Sequence, residues 1–146
     1  MRLTRVLLTV ALFGGFSLTA SAEANEESLS YGCSGGFTGG GGGVVVQRDG
    51  EIHRWSRPTY GAPVEQSFIR FDRAAARDVF AEVERINFTS IRYSKPGNMT
   101  CHVTLRRGAS THAVAWPTGD PDAPSRVVAL ASRIEKLAKV QPVEPE

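Results

Sequence analysis

The chain has 146 residues, with 17 Lys and Arg against 15 Asp and Glu, 15 Gly and only two Cys. That length suits a single domain able to bury a two-layer core. The basic residues are scattered rather than clustered on one face, which excludes a nucleic-acid-binding footprint.

Residues 1–22 read as a secretory signal peptide. Arg2 and Arg5 precede a short apolar run (Val6 to Phe13), Gly14-Gly15 breaks it, and Ala20-Ser21-Ala22 supplies the small-residue cleavage site. The run is too short to span a bilayer, which takes about 20 apolar residues, so no stable membrane anchor is expected. Cys33 lies too far from the run to serve as an acylation site. Cleavage after Ala22 leaves 15 basic against 15 acidic residues, and the expected location is periplasmic or extracellular. In that oxidising setting Cys33 and Cys101 are expected to pair. The loop they close contributes roughly 4 kcal/mol in the chain-entropy model.

Residues 23–28 form an acidic, frayed start. Leu29 to Phe37 reads as a strand interrupted by glycines. Thr38 and the run Gly39, Gly40, Gly41, Gly42 and Gly43 read as a mobile connecting loop, since Gly maximises backbone freedom. The functional alternative is a loop that approaches another surface with no side chains in the way. Val44 to Arg48, Asp49-Gly50 and Glu51 to Ser56 give a hairpin with a two-residue type I′ turn. Arg48 then stands opposite Glu51, Val44 opposite Trp55 and Val46 opposite His53.

Arg57 to Pro63 is a loop and Val64 to Phe71 an extended stretch. Asp72 caps a helix of about 14 residues, with Ala76, Val79, Phe80, Val83 and Ile86 on its buried face. Asn87 closes it, Thr89 to Tyr93 is a short strand candidate, and Ser94 to Asn98 is a turn. Met99 to Arg106 alternates, with Met99, Cys101, Val103 and Leu105 on one side. Thr111 to Trp116 returns beside it. A last helix begins near Asp122 or Ser125, with Val127, Leu130, Ala131, Ile134, Leu137 and Ala138 as its stripe. Residues 29–140 are thus one α+β domain, an antiparallel sheet of about four to six strands with two helices packed on one face. Residues 141–146 are a disordered tail.

Candidate chemistry is sparse. The hairpin periodicity puts His102 and His112 on opposite sheet faces and His53 on another hairpin, so no metal site and no cofactor are expected. Gly32-Cys33-Ser34-Gly35-Gly36 and Thr111-His112-Ala113-Val114 are similar to fragments of papain-like proteases. The nucleophile motif of that family is missing, and its catalytic His lies farther downstream. The glycine run leads into a strand rather than a helix, unlike a phosphate loop. No serine elbow or nucleophile–base pair is placed by a motif, so the chain does not read as an enzyme. Asn87-Phe88-Thr89 and Asn98-Met99-Thr100 match the glycosylation pattern, which matters only in a eukaryotic host.

The run Ser34-Gly35-Gly36-Phe37-Thr38-Gly39 resembles the GGF-small-G opening of emfourin-like proteins, small bacterial inhibitors of thermolysin-like metallopeptidases. The strand pair from Met99 to Trp116 and the Ala123-Pro124 entry to a Leu-rich helix are similar too. Element order matches over most of residues 30–138. Two features depart from the family, the extra hairpin Gln47 to Ser56 and the cysteine pair. The resemblance implies a non-catalytic inhibitor that contacts a peptidase through Phe37, Thr38 and Gly39 to Gly43. Two alternatives remain open: an envelope protein that binds a ligand or protein without inhibiting anything, and a Phe37 that belongs to the core.

Overall fold

The structure, a computed structural model, describes residues 26–139. The signal-peptide reading and the carboxy-terminal tail lie outside the described residues. The elements run β1 (Glu27–Gly35), β2 (Gly40–Gln47), β3 (Glu51–Arg57), β4 (Glu65–Phe71), α1 (Arg73–Arg85), β5 (Met99–Arg107), β6 (Ser110–Pro117) and α2 (Ser125–Leu137). All six strands form one antiparallel sheet in the order β4-β3-β2-β1-β5-β6. The expected α+β architecture is what the chain adopts.

One face of the sheet carries Leu29, Val44, Val46, Ile52, Val103, Leu105, Val114 and Trp116, and both helices close over it. Helix α1 contributes Ala76, Val79, Phe80 and Val83, and α2 contributes Val127, Leu130, Ala131 and Ile134. Those are the two stripes that helical spacing marked out. Asp72 caps α1, its Oδ1 accepting from the Ala75 amide at 2.9 Å. Asn87 ends it at φ 50°, in the left-handed region.

Four expectations are corrected. Glu27 and Ser28 belong to β1 rather than to a frayed start, because Glu27 is held by Arg107 at 2.5 Å and by Arg48 at 3.5 Å. The turn between β2 and β3 takes three residues, with Gly50 at φ 113°. The pairs are therefore Val44 with Arg54, Val45 with His53 and Val46 with Ile52. A one-residue slip exchanges the two faces of a strand. The observed register buries Ile52 beside Val46 and sends Trp55 to the outer face.

The segment Thr89 to Tyr93 is not a strand. Phe88–Ser90 forms a single 3-10 turn, since Asn87 redirects the chain and both Phe88 and Ile91 are buried. A lone bridge from Ser94 to Ala115 follows. The fourth correction concerns the glycines. Gly40 to Gly43 are strand residues of β2, paired with β1 in the middle of the sheet. Only Gly39 remains in the turn.

Candidate binding end and the outer sheet face

The reason for a strand of glycines is steric. The Trp55 side chain lies on the outer face over β1 and β2, only 9% exposed, and its Nε1 donates to the Tyr31 carbonyl at 3.3 Å. A Cβ on Gly43 would stand 2.6 Å from Trp55 Nε1 and 2.6 Å from Gly32 Cα. One on Gly32 would stand 2.8 Å from Trp55 Cε2. No real Cβ tolerates such contacts, so the glycines are the seat of an indole. Gly41 likewise lies against Ser34, and Gly40 against the Pro58 and Arg57 carbonyls. None of them is a slack connector.

What the sequence marked as a partner-binding tract is thus divided. Phe37, Thr38 and Gly39 form the tip between β1 and β2, and Gly40 to Gly43 form the strand behind it. Phe37 is fully exposed, with a relative accessibility of 109%, which removes the core alternative. The turn that carries it is tied down. The Gly36 amide donates to the Asn98 carbonyl at 2.7 Å, Gly39 to Gly36 at 3.2 Å, and Tyr60 to Thr38 at 2.9 Å. Thr38 Oγ1 accepts from the Gly40 amide at 3.2 Å, and Arg57 Nη2 donates to the Gly39 carbonyl at 3.4 Å. Gly39, at φ 66°, brings its backbone against Tyr60.

Tyr60 is itself 85% exposed, and Val64 and Met99 are exposed at the same end of the sheet. Four apolar side chains therefore surround one end of the molecule, from the β1–β2 turn, the β3–β4 loop and the start of β5. Four residues before Phe37, Cys33 faces Cys101 across β1 and β5 and is bonded to it. The expected pairing is thus present. Sequence reading missed Tyr60. The string Arg57 to Pro63 marked a loop but carried no sign that it packs beside Thr38.

The three histidines are apart. His112 shares the helix-side face with Leu105 and sets its ring 5.2 Å from Phe88. His53 meets Phe68 and Glu51 on the outer face. His102 also lies on the outer face, 6.0 Å from Trp55. Burial first, and the positive Arg57 second, hold its imidazole below the ordinary value. Among the described residues no group of three or more His, Cys, Asp or Glu side chains converges as a metal site. No described helix is long and apolar enough to cross a membrane. Comparison with protein-family models and with curated proteins finds no match for the chain.

Proposed function

We propose that this chain is an exported, non-catalytic binding module that inserts its β1–β2 turn into the cleft of a secreted, thermolysin-like metallopeptidase. The observation that carries the proposal is Phe37, a large apolar side chain held fully in solvent on a turn fixed by backbone and side-chain hydrogen bonds. Exposing such a group costs free energy unless a partner covers it. Pre-organisation lowers the entropy lost on binding, so the cost of ordering a glycine-rich tip is already met by the sheet. Tyr60 and Met99 extend the apolar contact around Phe37. Gly36 and Gly39, without side chains, leave the flanks of the turn narrow enough for a cleft. The disulfide fits an exported protein.

The test is inhibition of a panel of thermolysin-like enzymes by the mature protein. Phe37→Ala is expected to weaken inhibition tenfold or more at unchanged melting temperature, as truncating a central aromatic anchor does. Absence of inhibition across the panel at micromolar concentration removes the proposal. Inhibition insensitive to Phe37→Ala keeps the activity and moves the site elsewhere.

A further inference from the structure

The outer face of β1 carries only small residues, Ser28, Ser30, Gly32 and Ser34. His102, Thr104 and Arg106 of β5 stand taller on one side, and Val45 and Gln47 of β2 do so on the other toward Ser28. Trp55 of β3 reaches over Gly32 and Gly43 between the two ends. A central strand of small side chains flanked by taller ones forms a trough. From Ser28 to Ser34 it runs about 20 Å, at roughly 3.3 Å per residue. It is an open groove of about 470 Å³, within the volume range of small-ligand sites. Trp55, Val45 and Val64 supply its apolar patches, and Gln47, Gln66 and Thr104 join the serines along its walls.

No Asp or Glu lines the trough among the described residues, but an arginine stands toward each end. Arg106 is opposite Ser28, and Arg57 is aligned with Ser34 through Gly41. Arg57 spends one donor on Gly39, while its Nε is buried with no hydrogen-bond partner. That buried Nε cannot itself reach a ligand, but the positive charge of the Arg57 guanidinium favours an anion in the trough it lines. On its other side Arg106, with Ser28 and Gln47, borders Glu26, Asp49 and Glu51, so an anion is met by Arg106 only from the trough and not past it.

We infer that this trough binds a linear acidic oligosaccharide, with uronate-type carboxylates on Arg57 and Arg106 and ring hydroxyls on Ser28, Ser30, Ser34 and Thr104. Guanidinium and carboxylate match as paired donors and acceptors. Serine and threonine hydroxyls both donate and accept, as sugar hydroxyls do. The floor is the face of a sheet whose backbone groups are spent in its ladders. A peptide would therefore find no strand edge to extend, whereas a sugar needs only the side chains. Two cations over such a length suit sparsely spaced carboxylates better than the dense charge of a polyphosphate. The site adjoins the turn that carries Phe37, since Arg57 lines the trough and also donates to the Gly39 carbonyl, whereas Arg106 lies at the far end.

The experiment is calorimetric titration of the mature protein with a short oligogalacturonate, its methyl-esterified form, and a polyglutamate of similar length. Saturable binding of oligogalacturonate is expected, weakening as salt is raised and absent for the ester. Arg106→Gln, at an exposed position, is expected to weaken binding tenfold or more with the melting temperature and peptidase inhibition unchanged. Arg57→Gln should weaken it likewise, with circular dichroism confirming that the fold is retained. No binding of oligogalacturonate, equal or tighter binding of polyglutamate, or affinity indifferent to Arg106→Gln overturns the inference.

Discussion

At the scale of single residues, Trp55 explains more of this molecule than any charged group does. Its indole needs a flat seat on the outer sheet face, and Gly32 and Gly43 supply it. Gly43→Ala would drive a methyl group into the Tyr31 carbonyl oxygen and bring it within 2.6 Å of both Gly32 Cα and Trp55 Nε1, so the β1 backbone as well as the indole must move. Overpacking of that kind costs typically about 1–3 kcal/mol. The expected outcome is a lower urea midpoint with unchanged slope, measured by fluorescence. A midpoint equal to that of the parent protein would show that β1 and the indole yield to the methyl group without cost.

At the scale of elements, the two sheet edges are treated differently. Strand β6 is covered by the segment around Tyr93, whose carbonyl accepts from the Ala115 amide while Lys95 donates to the Ala115 carbonyl. Strand β4 has no such cover among the described residues. Its pairing with β3 is broken by a bulge at Ile52 and His53, a common means of blunting an edge. The cover on β6 is pinned by the Tyr93 hydroxyl, which donates to Asp120 Oδ2 at 2.5 Å, and by Lys95 at 3.3 Å. Those bonds, the tyrosine's first, hold the Asp120 carboxyl below the usual carboxylate range. The same bond pushes the Tyr93 hydroxyl up to about 12.

A carboxylate whose folded pKa is depressed stabilises the fold above its unfolded value, about 3.9 for Asp. That contribution is lost as pH falls through the folded value. Tyr93→Phe removes the first cause of the depression. Acid unfolding of this variant, followed by circular dichroism, is expected to have its midpoint at higher pH than in the parent protein. An unmoved midpoint would mean that the bond gives no pH-dependent stability.

For the whole molecule, the Cys33–Cys101 bond joins the first strand to the fifth across 68 residues of sequence. It ties the β1–β4 meander to the β5–β6 hairpin at the end that presents Phe37. Cys33→Ser or Cys101→Ser is expected to lower stability by about 2–5 kcal/mol, the usual loss for a small exported domain. Native protein should show no titratable thiol. Two thiols reacting without reductant would contradict the bond.

The sequence by itself determined the layers of this protein. Helical spacing from Ala76 to Ile86 and from Val127 to Ile134, and the alternation from Met99 to Arg106, are local periodicities that any core-facing element must obey. Cys33 and Cys101 were legible as a pair because only two cysteines exist. Phe37 could be singled out, but not assigned to core or surface, because its exposure depends on where β5 and the loop around Tyr60 come to lie. The glycine run read as slack because Gly is permissive in isolation. Only the packed sheet shows that Gly43 lies beneath an indole contributed from twelve residues away. Strand β1 carries serines or glycine on its outer face at every second residue from Ser28 to Ser34, yet the trough exists only once β3 and β5 set arginines on either side. Periodicity is a property of one segment, and a binding surface is a property of several brought together.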